Sequence, residues 1–272
     1  MKMPKIFKKE FHDLNIHYLI KTHKNMKKEN WKIWDLDESV EQRTFKRVTG
    51  ELPEMESTKQ LVELISQVYE PGMKILDVGC AAGHYYNGIK RIDANVKYYG
   101  VDSTVPYINF AKEHFEGYSN VEFALEDIFN LPEEFTSKFD IVFCCNVILH
   151  LPSFQIPIKN LLNSTKKYCI IRMLVSDNTH LSKFLYSDEF DENGAPTDFV
   201  YQNTYSFSIL EKYINSLGKY KIEFIDDKFD QKNINEEFLN FSGVQSAVTV
   251  VQNNVQIAGS KVFEWRWIKI TK

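Results

Sequence analysis

A turn that contains two glycines follows an apolar run in the sequence ILDVGCAAGHYY, residues 75–86. The run predicts a strand, and the small residues after it, Gly79, Ala81 and Gly83, allow a ligand to approach the backbone closely. The start of the helix predicted next offers N–H groups that suit an anionic or polar ligand. A dinucleotide fingerprint would need glycine at Ala81 and at His84, and a P-loop would need a following G-K-[ST]. Neither of these two nucleotide motifs is present.

Acidic or polar residues follow the next three predicted strands. Asp102 ends the second strand, 25 residues after Asp77, where a carboxylate can accept hydrogen bonds from both hydroxyls of a ribose. Asp127 follows the third strand, and Asn146 and His150 follow the fourth in FDIVFCCNVILHLP. His150 is either a general base or a packed, hydrogen-bonded histidine. The position of Asp102 favours a ligand that contains adenosine.

These four segments, in this order, resemble the motifs of class I S-adenosylmethionine-dependent methyltransferases over about residues 74–175. Asp77, Gly79 and Gly83 match the first motif, D-x-G-x-G-x-G, and Ala81 stands at its middle glycine. Alanine there restricts the backbone only if the position needs a positive φ angle. The resemblance implies S-adenosylmethionine as cofactor, with the Asp127 carboxylate at the adenine amino group and the Ile128 N–H at the ring. The cofactor-binding residues that it implies are Asp77, Gly79, Cys80, Ala81, Gly83, Asp102, Ser103, Asp127, Ile128 and Asn146.

The resemblance also implies direct in-line transfer of a methyl group. Because the cofactor carries the difficult chemistry, the protein mainly aligns the two reacting atoms and excludes water. The motifs name no catalytic residue, and His150, Tyr201 and Tyr205 are the candidates. Some quinone-type O-methyltransferases carry a metal-binding E-x-x-E-H where this chain has Asn146, Leu149 and His150. Since both carboxylates are missing, we predict that no metal binds there.

Strands and helices alternate through the middle of the chain, which predicts an α/β fold with a doubly wound, mostly parallel sheet of seven strands. Helices are expected over about residues 82–92, from Pro106 onward, and over residues 207–217 before Gly218. The later strands should close the sheet in antiparallel fashion, with turns near residues 253–254 and 259–260. The predicted strands are residues 74–78, 97–101, 121–125, 139–145, 168–175, 220–229, 248–251, 255–257 and 261–271.

A helical extension over residues 1–70 is predicted to precede the methyltransferase-like domain, residues 71–272. Residues 1–32 hold nine lysines and three acidic residues among apolar ones, which indicates one or two amphipathic helices. Their charged face is either solvated or a surface for an acidic partner. Residues 33–56 are predicted to be loop and turn, and Ser57 to cap a helix that runs to Tyr69.

Residues 176–206 form a polar and aromatic insertion that is too long for an ordinary connection. With the N-terminal segment, it should wall an acceptor pocket at the carboxyl ends of the strands. The layout is loosely similar to bacterial methyltransferases that modify polysaccharides and sugars, so a polar small molecule, with a sugar or glycan hydroxyl as the methylated group, is expected. The alternatives are another metabolite and a catalytically silent, methyltransferase-like binding subunit. Aromatic residues that suit a sugar, or merely cover the sheet edge, are Phe184, Tyr186, Phe190, Phe199, Tyr201 and Tyr205.

The composition excludes several other classes of protein. The 272 residues include 33 basic and 37 acidic ones, for a net charge of −4, and only five arginines, which argues against nucleic acid as the partner. Aromatic residues make up 14% of the chain, too many for a disordered protein. We predict no membrane span and no signal peptide, since no apolar run is long enough. The four cysteines lie in or beside apolar runs as small buried residues, and we expect a cytoplasmic protein.

Overall fold

The computed structural model describes residues 38–185, 188–228, 250–252, 255–258 and 261–272. The helices predicted within residues 1–32 and the turns predicted near residues 253–254 and 259–260 lie outside these ranges. Within the described ranges, no helix has the length and apolar character needed to cross a membrane.

The first described element is helix α1, Glu38–Thr49. The prediction of loop and turn over residues 33–56 is therefore wrong for this stretch. Most of the α1 residues are polar, and its large apolar residues are Val40, Phe45 and Val48. Phe45 stacks on Phe110 with ring centroids 4.0 Å apart, and Val48 is buried, so tertiary packing stabilises the helix.

Helix α2, Glu56–Ser66, is the last element before the sheet. Its N-cap is Met55, two residues before the predicted cap Ser57, which lies inside the first turn without capping it. The helix ends at Ser66, before the predicted end at Tyr69. The Ser57 hydroxyl is buried instead and lies 3.3 Å from the hydroxyl of Tyr85. The helix is amphipathic, as its leucine and isoleucine spacing predicts, and packs its apolar face on the sheet layer.

Alternating strands and helices form the centre of the fold: β1 (Lys74–Val78), α3 (Tyr86–Ile89), β2 (Lys97–Asp102), α4 (Val105–His114), β3 (Val121–Leu125), β4 (Phe139–Cys145), α5 (Gln155–Ser164) and β5 (Thr165–Ser176). The five strands pair in parallel in the order β3-β2-β1-β4-β5. The strand order reverses between β1 and β4, which creates the switch point where open α/β sheets bind ligands. The predicted parallel, doubly wound core is confirmed.

The remaining elements are β6 (Lys183–Leu185), β7 (Phe199–Tyr201), β8 (Tyr205–Ser206), α6 (Phe207–Leu217), β9 (Lys221–Asp226), β10 (Val250–Gln252), β11 (Val255–Ala258), β12 (Lys261–Val262) and β13 (Trp265–Thr271). Strand β13 lies antiparallel between β5 and β9 and completes the predicted path of seven strands. Strands β10, β11 and β12 form a separate antiparallel sheet, so they do not extend the main one. Strand β8 joins the end of β5 in parallel.

The main sheet is apolar on both faces because its strands supply side chains alternately to each. In β4, Ile141 and Phe143 enter the core layer that contains α2, whereas Val142 and Cys144 enter the opposite layer. All four cysteines are buried and free, as predicted. Helix α3 is shorter than the predicted residues 82–92, because the chain first turns through Gly83 at a φ of +85°.

Candidate active site

The glycine turn after β1 follows a left-handed backbone path at alternate residues. Gly79 and Gly83 have φ angles of +78° and +85°. A Cβ at Gly79 would overlap the side chain of Val147, and one at Gly83 would lie 2.7 Å from the ring of Phe123. Both glycines are therefore required by backbone conformation and by packing, in addition to any ligand.

Ala81, the departure from the family motif, has a φ of +48°. The position thus needs the left-handed conformation, which costs an alanine energy that glycine would not lose. The Ala81 N–H donates to Oδ2 of Asp102 at 2.9 Å, and the Thr104 N–H donates to Oδ1 at 2.9 Å. Asp102 therefore ties the end of β2 to the glycine turn.

Asp77 is 1% exposed and lies at the end of β1. Its Oδ2 accepts a 2.5 Å hydrogen bond from the Tyr98 hydroxyl, whereas Oδ1 is buried and has no hydrogen-bond partner among the described residues. Burial raises the pKa of the Asp77 carboxyl well above its usual value, and the nearby charge of Asp102 adds to this. A buried acceptor without a partner suits a ligand that donates a hydrogen bond.

The other predicted residues near this turn are Asp127, Cys80 and Ser103. Asp127 caps the short 3₁₀ helix Ile128–Asn130, and its Oδ1 accepts a 2.9 Å bond from the Phe129 N–H. Cys80 is buried, which raises the pKa of its thiol well above the usual value, and Ser103 is half-buried. Asp127 reaches the same edge of the sheet as Asp102, because the Glu126 N–H donates to the Asp102 carbonyl at 3.0 Å.

Asn146 begins the turn after β4 and is held at both backbone and side chain. Its φ is +62°, a conformation that asparagine tolerates, and its N–H donates to the Arg172 carbonyl at 3.0 Å. Its Oδ1 accepts a 2.5 Å bond from the Arg172 guanidinium. That guanidinium also binds both carboxylate oxygens of Asp227, at 2.9 and 2.8 Å.

Sequence reasoning missed Arg172 and Asp227. One signal was present for the arginine, since it stands inside the apolar strand segment YCIIRMLV and is one of only five arginines. Asp227 carried no signal, because it lies 55 residues away and meets Arg172 only through the strand order. A histidine was also missed: both ring nitrogens of His84 are buried without a hydrogen-bond partner among the described residues.

His150 lies in the 3₁₀ helix Ile148–His150, and its Nδ1 is 2.9 Å from the carbonyl oxygen of Tyr201. A carbonyl can only accept, so Nδ1 carries the proton and Nε2 is the basic nitrogen of the neutral ring. Tyr201 contributes its backbone to this contact. Tyr205 is 3% exposed and packs on Phe154, and its hydroxyl accepts a 3.2 Å hydrogen bond from the Asn203 side-chain amide. Tyr205 is thus buried and hydrogen-bonded within the protein.

The insertion of residues 176–206 is bonded to the turn after β4. The Asn203 N–H donates to the Leu149 carbonyl at 2.8 Å, and its side-chain amide donates to the Leu151 carbonyl at 3.0 Å. Phe199 is buried and Phe190 is 55% exposed, and Tyr186 lies outside the described residues. The burial of Phe199 and Tyr205 favours the interpretation that they cover the sheet edge over a role as a platform for a sugar.

No metal site is formed by the described residues, among which no three His, Cys, Asp or Glu side chains cluster suitably. Leu149, where the quinone-type motif has a carboxylate, is buried in the apolar core. Independence from metal remains a prediction for experiment.

Comparison with known proteins identifies a family model that covers the residues of this site. The family model of the methyltransferase domain matches residues 69–236, which is more than half of the chain. The chain belongs to this methyltransferase family. The matched part of the chain is a methyltransferase domain. The matched residues include the glycine turn, the ends of β2, β3 and β4, and both partners of the Arg172–Asp227 ion pair.

The methyltransferase is similar to two groups of curated relatives over limited stretches. It is 34% identical over 114 residues to phosphoethanolamine N-methyltransferase 3 of Arabidopsis thaliana, covering 39% of this chain and 22% of that protein. It is 34% identical over 95 residues to ubiquinone biosynthesis O-methyltransferases of Coxiella burnetii, covering 35% of this chain and 39% of those proteins. The chain thus spans well under half the length of either relative.

A solved structure supports the fold of the methyltransferase. An S-adenosylmethionine-dependent methyltransferase from Clostridium acetobutylicum superposes with a TM-score of 0.52 at 14% identity, covering 84% of this chain and 96% of that one. The described site residues fit S-adenosylmethionine, the cofactor that the resemblance implies, since the buried Oδ1 of Asp77 has no partner among the described residues and can accept a hydrogen bond from a ligand.

Proposed function

We propose that this methyltransferase methylates an oxygen of a polar small molecule, with a sugar or glycan hydroxyl as the first class to test. The observation that carries the proposal is the 2.9 Å bond from His150 Nδ1 to the Tyr201 carbonyl. That bond fixes the tautomer whose Nε2 can take a proton. His150 lies four residues after Asn146, beyond the carboxyl end of β4 and next to the switch point.

The proposed reaction needs a base because a hydroxyl is a poor nucleophile until its proton leaves. When bound, the cofactor supplies a methyl group on a sulfonium, which is already electrophilic. The glycine turn, Asp102, Asp127, Ile128 and Asn146 would hold it. His150 would accept the hydroxyl proton at Nε2 while its Nδ1–H stays bonded to Tyr201.

The chemistry of the relatives sets the breadth of the acceptor screen. By their names, one group methylates the nitrogen of phosphoethanolamine and the other an oxygen in ubiquinone biosynthesis. Transfer of labelled methyl from S-adenosylmethionine should therefore be measured on sugars, phosphoethanolamine and phenols, with detection by mass spectrometry. A cytoplasmic location and the absence of a nucleic-acid partner are further parts of the proposal.

The role of His150 is tested by His150→Asn. The asparagine amide can still donate to the Tyr201 carbonyl, so the anchor is kept and only the basic nitrogen is lost. We expect turnover to fall by at least about a hundredfold, the usual contribution of a general base, with unchanged affinity for S-adenosylhomocysteine.

Tyr201→Phe is the matched control, because it removes a hydroxyl and keeps the backbone carbonyl that holds His150. It should turn over like the parent. Parental turnover in His150→Asn would exclude His150 as the base. Failure of the parent to bind S-adenosylmethionine in calorimetry would instead favour a catalytically silent binding subunit.

A further inference from the structure

The side-chain amide of Asn146 has a fixed polarity. A guanidinium carries only donors, so the Asn146 atom that lies 2.5 Å from Arg172 must be the oxygen. The two N–H groups on Nδ2 are then directed away from Arg172. Asn146 is half-buried, and its Nδ2 makes no hydrogen bond with any residue that the structure describes.

Arg172 cannot readily release the Asn146 oxygen. Its side chain is 8% exposed and that of Asp227 is 4% exposed, and the two form a bidentate pair. The guanidinium carbon lies 4.1 Å from the ring centroid of Trp265. The indole N–H of Trp267 donates to Asp227 Oδ1 at 3.1 Å, so the carboxylate is fixed as well.

The backbone also fixes where Asn146 stands. Its N–H is bonded to the Arg172 carbonyl, and the next residue, Val147, packs directly over Gly79 of the glycine turn. The donors of Asn146 therefore lie on the segment that borders the cofactor cradle. This is also the segment that leads to His150.

We propose that Asn146 determines specificity by presenting donors to a ligand oxygen, and that Arg172 and Asp227 are the residues that position it. The oxygen is a hydroxyl, carbonyl or carboxylate lone pair. An ammonium placed there would direct its N–H groups at those of Asn146. A neutral amine would have to give Asn146 the single lone pair that must attack the methyl group, whereas a hydroxyl oxygen has two lone pairs. The inference rests on the proposed function and deepens it, because it selects an oxygen over a nitrogen acceptor.

The polarity is tested with Asn146→Asp, which keeps the shape, the bond to Arg172 and the tolerance of positive φ but removes both donors. S-adenosylhomocysteine affinity is measured by calorimetry. Binding in its presence, and labelled-methyl transfer from S-adenosylmethionine, are measured with matched pairs: glucose and glucosamine, 2-hydroxyethyl and 2-aminoethyl phosphate, 4-hydroxy- and 4-aminobenzoate.

We expect the parent to prefer the oxygen members of the pairs. A tenfold or greater loss of S-adenosylhomocysteine affinity in Asn146→Asp would assign the recognised oxygen to the cofactor. Unchanged affinity with a tenfold loss for the oxygen members would assign it to the acceptor. The second result supports the proposal, whereas the first overturns it, because an oxygen of the cofactor is common to all acceptors and cannot select among them.

The positioning role is tested with the double variant Arg172→Met, Asp227→Leu, which removes the ion pair without leaving a buried charge. It should fold, as judged by its melting curve, while losing the effect assigned to Asn146, since the amide is then free to rotate. If Arg172 and Asp227 contributed only to stability, a double variant that melts like the parent would keep the effect assigned to Asn146.

The proposal is overturned if Asn146→Asp matches the parent in S-adenosylhomocysteine affinity and the pairs show no preference for oxygen. A preference of the parent for the nitrogen members would also overturn it. These outcomes are separate from the test of His150. Parental turnover in His150→Asn would exclude His150 as the base and would say nothing about the polarity of Asn146.

Discussion

Asp102 offers the sharpest single perturbation, because its carboxylate serves both the glycine turn and the expected ribose contact. It accepts two backbone bonds of 2.9 Å, from Ala81 and Thr104. Hydrogen bonds to a charged group contribute about 1.5–3 kcal/mol each, and the lower end applies to this half-buried side chain. Asp102→Ala should therefore lower the free energy of unfolding by about 3 kcal/mol.

The assay compares two readouts in the same variants. A loss of about 3 kcal/mol corresponds to a melting temperature lower by about 6–12 °C for a domain of this size. Asp102→Asn keeps one acceptor oxygen and should lose about half as much. Both variants should weaken binding of S-adenosylhomocysteine at least tenfold, or about 1.4 kcal/mol, in calorimetry below their melting temperatures.

Asp140 provides the control for Asp102. Its carboxylate also accepts a backbone hydrogen bond of 2.9 Å, from the Lys74 N–H, but at the amino-terminal ends of the strands. Asp140→Ala should cost some stability and leave cofactor affinity unchanged. Unaltered melting in Asp102→Ala would refute the tie between β2 and the glycine turn, and affinity within threefold of the parent would refute the cofactor contact.

Four further outcomes are expected. Ala81→Gly should relieve its positive φ and raise stability by about 0.5 kcal/mol, as measured by urea unfolding, with cofactor affinity retained. Gly79→Ala should abolish S-adenosylhomocysteine binding and lower the melting temperature. Adding Val147→Ala should recover part of that melting temperature if the new Cβ overlaps the Val147 side chain. Burial and the nearby Arg47 lower the pKa of His84 from 6.5 to about 3. The contribution of His84 to the free energy of unfolding should therefore be fully present above pH 6.5 and be lost as the pH falls toward 3. His84→Gln should flatten that loss in urea titrations. EDTA should leave turnover unchanged, and a dependence on magnesium would contradict the prediction.

The strands of the main sheet could be predicted because their signal is local. The run FDIVFCC matches β4 at both ends, and helix α6 begins and ends where its spacing and Gly218 indicate. Helix α1 could not be predicted, because its stability depends on contacts such as Phe45 on Phe110, which are distant in sequence. Local patterns therefore located the elements that carry their own apolar periodicity.

Side-chain roles at the site were harder to predict than the elements. The motif located Asp77, Asp102 and Asn146 at the carboxyl ends of the strands. Which of their atoms form hydrogen bonds with the protein depends on the fold. Tyr205 illustrates the difference, since an aromatic residue in a polar segment can face a pocket or the core, and here it packs on Phe154. The Arg172–Asp227 pair depends on β5 and β9 flanking β13, an arrangement that no single segment encodes.

The pairing of β8 with the end of β5 has an evolutionary consequence. Val175 and Ser176 pair with Tyr205 and Ser206, so the intervening segment leaves the sheet and returns to it at the same point. Its length and sequence can change without shifting the register of any other strand. The ends of this segment suit recombination between relatives, because a foreign segment would need to match these two pairs, the anchor at Asn203 and the carbonyl of Tyr201 that holds His150. New acceptors could thus be acquired by exchange of one module, while the machinery for the methyl donor is inherited unchanged.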